Sequence, residues 1–351
     1  MNETIPFADL PEKDQREIQE ILAGTLLPPL YSDVIAKNIL NADVHPERLN
    51  FLMRAISQDE SIDIQSSASN ELFRQSVHSK GMVLDIPAWL KDHRLTNLEI
   101  QKVKQDFILT RSELYASDML LLQYSTQSDE KKSNLSFSNV KEVLLIILMV
   151  ESPHSFLEFD KKSDRYIHRF YHKDADSGFS GPSKANIIIV QLDKCLAQFK
   201  AGRNAEASDG KPDKLQTWLS MIAAPNDAQV SAAASLDADL LQIRREARNM
   251  VQNKEVQNML IQERYERMDW LSYGEQNKAE GIAKGRAEGI AKGRAEGIVK
   301  GRAEGIVLRD RQKIASMLMK GRTPSEIHDF GDYPMELIAE VQEDMLQKRS
   351  I

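Results

Sequence analysis

Two acidic residues, Asp85 and Glu99, lie on either side of a polar stretch and could together bind a divalent cation. Side chains alternate along a strand, so Glu99 and Gln101 share one face. If the two segments pair as an antiparallel hairpin, Asp85 reaches that face only when the loop has an odd number of residues. A loop of Lys91-Asp92-His93 places Asp85 directly opposite Glu99, with Cβ atoms about 5 Å apart. Carboxylates that close repel each other unless a cation or a proton intervenes, and hard divalent cations favour oxygen ligands.

Each of these side chains also has a simpler explanation. Asp85 alone fits a solvated carboxylate at the end of a strand. Gln101 fits a polar residue on an edge strand, and because its amide is neutral it cannot act as a general base. At a metal site it could only orient a water molecule.

Apolar segments separated by polar stretches predict the elements that position these residues. Periodicity favours helices over 13–23, 32–40, 46–57, 103–124 and 215–273, and strands over 81–87, 95–103, 143–150 and 187–192. In the helix over 103–124, we expect Phe107, Leu114 and Leu121 to share one face. Trp218 and Trp270 are expected as packing anchors of the later helices. Strands alternating with helices predict an α/β fold.

Composition excludes several classes of protein. The formal net charge of -7 argues against a strongly basic nucleic-acid coat protein, although binding of a phosphate group needs only a local basic surface. The single cysteine, Cys195, excludes an intramolecular disulfide. The acidic first residues lack the apolar segment of a secretory signal, and the longest apolar run, 143–150, is shorter than a membrane span. We therefore expect a cytoplasmic protein that does not associate with membranes.

An eight-residue repeat begins at Ala279-Glu280-Gly281-Ile282-Ala283-Lys284-Gly285-Arg286 and continues through Arg302. Each of the two glycines per unit destabilises a helix by about 1 kcal/mol relative to alanine. The one Glu–Lys pair four residues apart in each unit stabilises the helix by less than this. An isolated helix here is therefore expected to be marginal. The repeat is most simply a solvated spacer, and its local excess of basic residues keeps open a self-association or DNA-contact arm.

The chain consequently divides into four predicted segments. These are a polar leader over 1–27, an α/β domain over 28–273, the repeat over 274–310 and a small helical segment over 311–351. In the last segment, Gly321 fits the end of one helix, and Thr323-Pro324-Ser325-Glu326 is a capping box that starts the next.

Several stretches together resemble the Rpn family of recombination-promoting nucleases and putative transposases. The resemblance rests on 80–86 and 97–101 around the acidic pair, on the opening helix Ser32-Asp33-Val34-Ile35-Ala36-Lys37, and on Arg111, Tyr115 and 120–123 downstream. The repeat followed by Ala315-Ser316-Met317-Leu318 also follows that family's pattern. The resemblance covers about residue 28 to the end of the sequence. The chain departs from the pattern at Ala36, where an aromatic residue is usual, and in the turn before Glu99, which lacks a frequent glycine.

The resemblance implies an α/β fold with a PD-(D/E)xK restriction-endonuclease-like core, an αβββαβ succession with a mixed sheet flanked by helices, plus a helical C-terminal tail. It also implies a Mg²⁺-dependent DNA endonuclease linked to recombination or transposition. By this analogy Asp85 and Glu99 bind the metal, Gln101 replaces the usual lysine, and Asp33 is the acidic residue of the first helix. Asp33 fits a helix N-cap equally well, and Arg111 with Tyr115 fits packing as well as phosphate contact.

Other motifs offer no rival chemistry. The seven histidines show no metal-ligand spacing, because His168 and His172 lie on a segment that looks like a strand. A nucleophile elbow, a P-loop and a dinucleotide fingerprint are all absent from the sequence. The alternative function is therefore a non-catalytic DNA-binding or scaffold protein with a decayed nuclease core, whose helical tail drives oligomerisation.

Overall fold

The structure is a computed structural model that describes residues 7–68, 84–104, 106–126, 139–179, 183–203 and 213–347. The chain divides into two compact units, Met1–Met268 and Asp269–Ile351. The division into four segments drawn from the sequence remains a prediction. Within the described residues, no helix is long and apolar enough to cross a membrane.

The larger unit alternates helices and strands. Its helices are α1 (Glu12–Leu22), α2 (Asp33–Ile39), α3 (Pro46–Ser57), α4 (Ile108–Thr126), α5 (Leu157–Lys162), α6 (Leu192–Lys200), α7 (Lys214–Ala223), α8 (Ala228–Ala234) and α9 (Ala238–Met250). Its strands are β1 (Ile64–Ser67), β2 (Ile86–Leu90), β3 (Leu95–Gln101), β4 (Val143–Met149), β5 (Ile167–Phe170) and β6 (Ala185–Gln191). Helix α10 (Lys254–Met319) begins in this unit.

The strands form one mixed sheet in the order β1-β2-β3-β4-β6-β5. Strands β3, β4 and β6 run parallel, while β1, β2 and β5 pair antiparallel to their neighbours. The succession α3, β1, β2, β3, α4, β4 confirms the predicted αβββαβ core, and the α/β fold class with it. Strand β2 begins at Ile86, and residues 81–83 of the strand predicted over 81–87 lie outside the described residues.

Strand β3 lies in the interior of the sheet, and all seven of its residues are buried. Its even-numbered apolar residues, Leu98 and Ile100, join the core cluster formed with helices on one face of the sheet. Leu95, on the opposite face, joins the cluster formed with α4. By strand alternation, Glu99 and Gln101 point toward α4 as well. Burying such polar groups is unfavourable unless they are hydrogen-bonded, so their partners decide whether this face is stable.

The apolar residues predicted to share one face of α4 are exposed. Phe107, Leu114 and Leu121 are 61%, 56% and 63% exposed. Tyr115 and Met119 instead pack against the sheet. A seven-residue spacing predicts that residues share a face, but it does not say whether that face meets the strands, because apolar residues occur on more than one face of this helix.

The other predicted anchors have different outcomes. Trp218 is buried on α7 and stacks on Phe51 of α3, with ring centroids 5.4 Å apart. The side chain of Trp270 lies outside the described residues. Cys195 is a buried free thiol on α6, and burial raises its pKa to about 12, so it is an inert packing residue.

In the smaller unit, α10 continues as one helix through the repeat to Met319. Two further helices follow, α11 (Pro324–Gly331) and α12 (Met335–Gln347). Gly321 has a φ of +84°, the left-handed conformation expected after a helix end. The capping box at Thr323 and Glu326 is formed in both directions. Ile314, Ile327 and Ile338 make the core of this unit.

Candidate functional site

The β2–β3 hairpin has the turn that brings the two acidic residues together. Leu90 and Arg94 are bonded across a loop of Lys91-Asp92-His93, and His93 has a φ of +67°. Three-residue hairpin loops commonly end with a residue in this left-handed conformation. The strand register pairs Ile86 with Leu98. The next pair along the hairpin is therefore Asp85 with Glu99, which is the predicted alignment.

The side chains of Asp85 and Glu99 each accept a hydrogen bond from the backbone of the opposite strand. The backbone N–H of Asp85 donates to Glu99 Oε2 at 3.2 Å, and the backbone N–H of Ile100 donates to Asp85 Oδ2 at 2.8 Å. Backbone pairing between β2 and β3 ends at Ile86 and Leu98, the pair next to Asp85 and Glu99. The two carboxylates thus take the place of backbone hydrogen bonds at the end of the hairpin. A bond to the opposite strand fixes the orientation of each carboxylate.

Asn97 completes this end of the hairpin, a role that was not predicted from the sequence. Its side chain is fully buried, its Oδ1 accepts the backbone N–H of Ile86 at 3.2 Å, and its Nδ2 donates to Glu99 Oε2 at 3.1 Å. Glu99 Oε2 therefore receives two N–H donors, one from the backbone of Asp85 and one from Asn97. Only Glu99 Oε1 remains for a further ligand.

Arg111 of α4 covers that remaining oxygen. Its guanidinium donates to Glu99 Oε1 at 3.1 Å and to Gln101 Oε1 at 3.2 Å. It also donates twice to the hydroxyl oxygen of Tyr115, at 3.0 and 2.6 Å. Gln101 in turn donates its Nε2 to the carbonyl of Val103 at 3.0 Å. Glu99 and Gln101 are only 3% and 6% exposed, so they lie beneath this arginine in a polar, hydrogen-bonded environment rather than in the apolar core.

A second charged cluster lies on the Asp85 side. Lys102 follows Gln101 in the chain, and its Nζ contacts Asp33 Oδ1 at 2.7 Å and Glu263 Oε2 at 3.2 Å. Glu263 Oε1 also accepts Ser32 Oγ at 3.0 Å and the N–H of Val34 at 3.3 Å. Asp33 is thus the first residue of α2 and an ion-pair partner, while Ser32 makes no side-chain cap bond within its own helix. Neither Lys102 nor Glu263 was singled out from the sequence.

Burial and repulsion from a neighbouring carboxylate raise the pKa of both Asp85 and Glu99. Burial raises the pKa of Glu99 to about 7, and the charge of Asp85 adds to this, while Asn97 and Arg111 oppose it. Burial also raises the pKa of Asp85, and the nearby Asp33 carboxylate adds to that shift. The N–H of Ile100 and the cations of Lys37 and Lys102 counter only part of it. This end of the hairpin therefore concentrates negative charge and favours a bound cation.

The donor set fits a hard divalent cation that keeps part of its water shell. Asp85 Oδ2 is used by Ile100, but Asp85 Oδ1 has no hydrogen-bond partner among the described residues. The same part of the chain contains no group of three or more His, Cys, Asp and Glu side chains placed to hold a metal. Mg²⁺ commonly binds through one or two carboxylates, with water and substrate phosphate as its other ligands. A pair of carboxylates is therefore sufficient for this ion.

Sequence comparison places this arrangement in a known group. A family model described as PD-(D/E)XK nuclease family transposase matches residues 34–276. The chain belongs to this family. The match contains Asp85, Glu99, Gln101 and Arg111, and it begins one residue after Asp33. No curated protein and no solved structure matches the chain.

Membership in the PD-(D/E)XK nuclease family transposases implies a transposase-like nuclease, and so phosphodiesterase chemistry and DNA binding. The sequence-predicted residues Asp85, Glu99 and Gln101 come together at the carboxyl end of β3, which is where α/β sheets usually bind ligands. Asp33 does not contact them in the described residues and joins the site through Lys102 and through its charge. The two histidines considered in the sequence bond elsewhere, His168 with Gln191 and His172 with Ser183.

Proposed function

We propose that the chain is a Mg²⁺-dependent DNA endonuclease of the transposase type, with Asp85 and Glu99 as its metal ligands. The observation that carries this proposal is the pairing of these two carboxylates across the hairpin, each held in place by an N–H of the opposite strand. Their fixed positions provide a preorganised pair of oxygen ligands, which is what a catalytic metal requires.

A bound Mg²⁺ would lower the pKa of a water ligand and neutralise charge on the phosphate under attack. The chain's own residues orient the participants. Asp85 Oδ1 and Glu99 Oε1 would be the oxygens that hold the ion. Gln101 keeps one lone pair on Oε1 and one N–H after bonding Arg111 and Val103, so its amide can still position a water molecule. Asp33 supports this arrangement by holding the ammonium group of Lys102.

Basic side chains offset the negative charge of the carboxylates. Lys37 and Lys102 act electrostatically on Asp85, and Arg111 contacts Glu99. These three cations balance the carboxylates of Asp33, Asp85 and Glu99. A divalent cation held by the site would then add the positive charge that attracts a DNA phosphate to a chain of net charge -7.

Cleavage of supercoiled plasmid tests the proposal. Purified wild type is incubated with plasmid and Mg²⁺, and with EDTA in place of Mg²⁺. We expect nicking that requires Mg²⁺ and that the Asp85→Ala, Glu99→Ala double variant loses. The matched control is Asp63→Ala, Asp92→Ala, which removes two half-exposed carboxylates from the opposite end of the same hairpin region. Equal nicking by wild type and the first double variant would remove these residues from the chemistry.

A second candidate is a DNA-binding or scaffold protein without catalysis. One observation favours it: Arg111 already neutralises Glu99, as a permanent structural ion pair would. In the same assay this candidate predicts plasmid binding in gel-shift experiments with no cleavage under any divalent metal. Comparison of the complete chain with a variant truncated after residue 273 by size-exclusion chromatography tests the accompanying idea of self-association through the tail.

A further inference from the structure

Glu99 has one oxygen to offer a metal, and that oxygen is occupied by an arginine. Oε2 already accepts the N–H of Asp85 and the Nδ2 of Asn97. Oε1 accepts from Arg111 at 3.1 Å. A divalent cation that binds Glu99 must therefore approach the same oxygen as the guanidinium, and two cations at one carboxylate oxygen repel each other.

The surroundings of Arg111 suit a side chain that changes partners. Its side chain is 30% exposed, whereas that of Glu99 is 4% exposed, so the guanidinium lies between the carboxylate and solvent. Two of its contacts, to Gln101 Oε1 and the Tyr115 hydroxyl, are to neutral groups. Both remain available to the guanidinium when its ion pair with Glu99 is broken, and its positive charge is then no longer neutralised by that carboxylate. A planar guanidinium with several donors is well suited to phosphate.

We propose that Arg111 is an exchangeable counter-ion: it neutralises Glu99 in the metal-free protein, leaves that carboxylate when a divalent cation binds, and then faces the substrate phosphate. Arg111 is thus a positioning residue that links metal binding to phosphate binding. This inference rests on the proposed function, because it assumes that Glu99 is a metal ligand.

The arginine side-chain Nε–H signals of the full chain, labelled with ¹⁵N-arginine, report on this exchange without any measurement of activity. Arg111→Lys identifies the Arg111 signal by its absence. The control is Arg94, another ion-paired arginine of this unit, whose partners Asp59 and Asp92 lie near the hairpin turn. Arg94→Lys identifies its signal. Mg²⁺ is titrated while calorimetry measures metal binding on the same preparation.

We expect the Arg111 signal to shift with the midpoint of Mg²⁺ binding while the Arg94 signal stays in place. A constant Arg111 signal during measured Mg²⁺ binding overturns the exchange and leaves the proposed function standing. Absence of any Mg²⁺ binding overturns both.

Metal affinity gives a second, independent measurement. Lysine at position 111 keeps the positive charge but cannot reach Glu99, Gln101 and Tyr115 together. Arg111→Lys should therefore compete less for Glu99 and bind Mg²⁺ several-fold more tightly than wild type. Arg94→Lys should bind it as wild type does. Equal dissociation constants for all three proteins would show that the guanidinium does not compete with the metal.

Discussion

Asp85 and Glu99 are joined by reciprocal bonds in which each carboxylate accepts an N–H from the opposite strand, at Asp85 itself and at Ile100. The pair is therefore part of the hairpin's structure as well as its candidate chemistry. Because Glu99 is buried and Asp85 is partly buried, their ionisation, the stability of the hairpin end and the binding of a cation are linked.

Ionisation of Glu99 should destabilise the metal-free protein as pH rises. Its folded pKa of about 7 lies above its ordinary value, so the native state binds more protons than the unfolded state between the two values. The stability that protonated Glu99 contributes is fully present below the ordinary pKa of a glutamate. It is lost as pH rises through the pKa of Glu99 in the folded state. Glu99→Gln imitates the protonated form. In EDTA, the unfolding free energy of wild type should fall relative to Glu99→Gln between pH 5 and pH 8, by up to about 1.4 kcal/mol per pH unit.

Chemical denaturation at several pH values measures this difference. Glu266→Gln, an exposed change on α10, serves as the control and should follow wild type at every pH. Parallel stability profiles for wild type and Glu99→Gln would contradict a raised pKa at Glu99.

Asn97→Ala should destabilise the hairpin and disturb the site together. The change leaves the buried N–H of Ile86 without its acceptor and removes one donor from Glu99. Unsatisfied buried groups cost about 1–3 kcal/mol each, so we expect a loss of stability of at least this size and weaker Mg²⁺ binding. Thr96→Ala is the neighbouring control, because Thr96 points to the other face and bonds Leu144 O and the sulfur of Met53. It should lose stability while keeping its Mg²⁺ affinity, as measured by calorimetry. Loss of metal affinity in both variants would point to general unfolding.

Much of this site could be predicted from the sequence because its central contact is local. The loop Lys91-Asp92-His93 and the alternation of strand residues fix the pairing of Asp85 with Glu99. The charged residues that surround the Asp85–Glu99 pair could not be predicted in the same way. Glu263 bonds Lys102 from 161 residues away, and such contacts depend on how helices pack on the sheet.

The orientation of α4 could not be predicted for the same reason. Phe107, Leu114 and Leu121 are apolar at a helical spacing and share one face, which is exposed. Tyr115 packs against the sheet, and Arg111 bonds Glu99 and Gln101 of β3. A buried carboxylate needs such a partner, and that requirement is visible only when the strand register is known.

Introduction of the lysine that PD-(D/E)xK sites usually carry should not improve this one. Gln101→Lys replaces an acceptor of Arg111 by a second cation in a position that is 6% exposed. Repulsion between the two cations should lower the stability by about 2 kcal/mol or more and reduce plasmid nicking. Gln101→Met, which removes the acceptor without adding charge, is the control and should lose less stability. Higher nicking by Gln101→Lys would show that lysine is compatible with Arg111 and that Gln101 only weakens the enzyme.

Alanine in place of repeat glycines should strengthen α10. A Cβ added at Gly293, Gly297 or Gly301 meets nothing within 4 Å, so substitution brings helix propensity without a clash. Each change should contribute about 1 kcal/mol to the helix. Circular dichroism at 222 nm during heating should show greater helicity in the triple alanine variant. Gly321→Ala is the opposite control, because its left-handed φ of +84° disfavours a side chain, and it should destabilise the smaller unit. If the triple variant loses helicity or dissociates from an oligomer seen for wild type, the glycine face is in contact with another helix, and the repeat is an association surface rather than a solvated spacer.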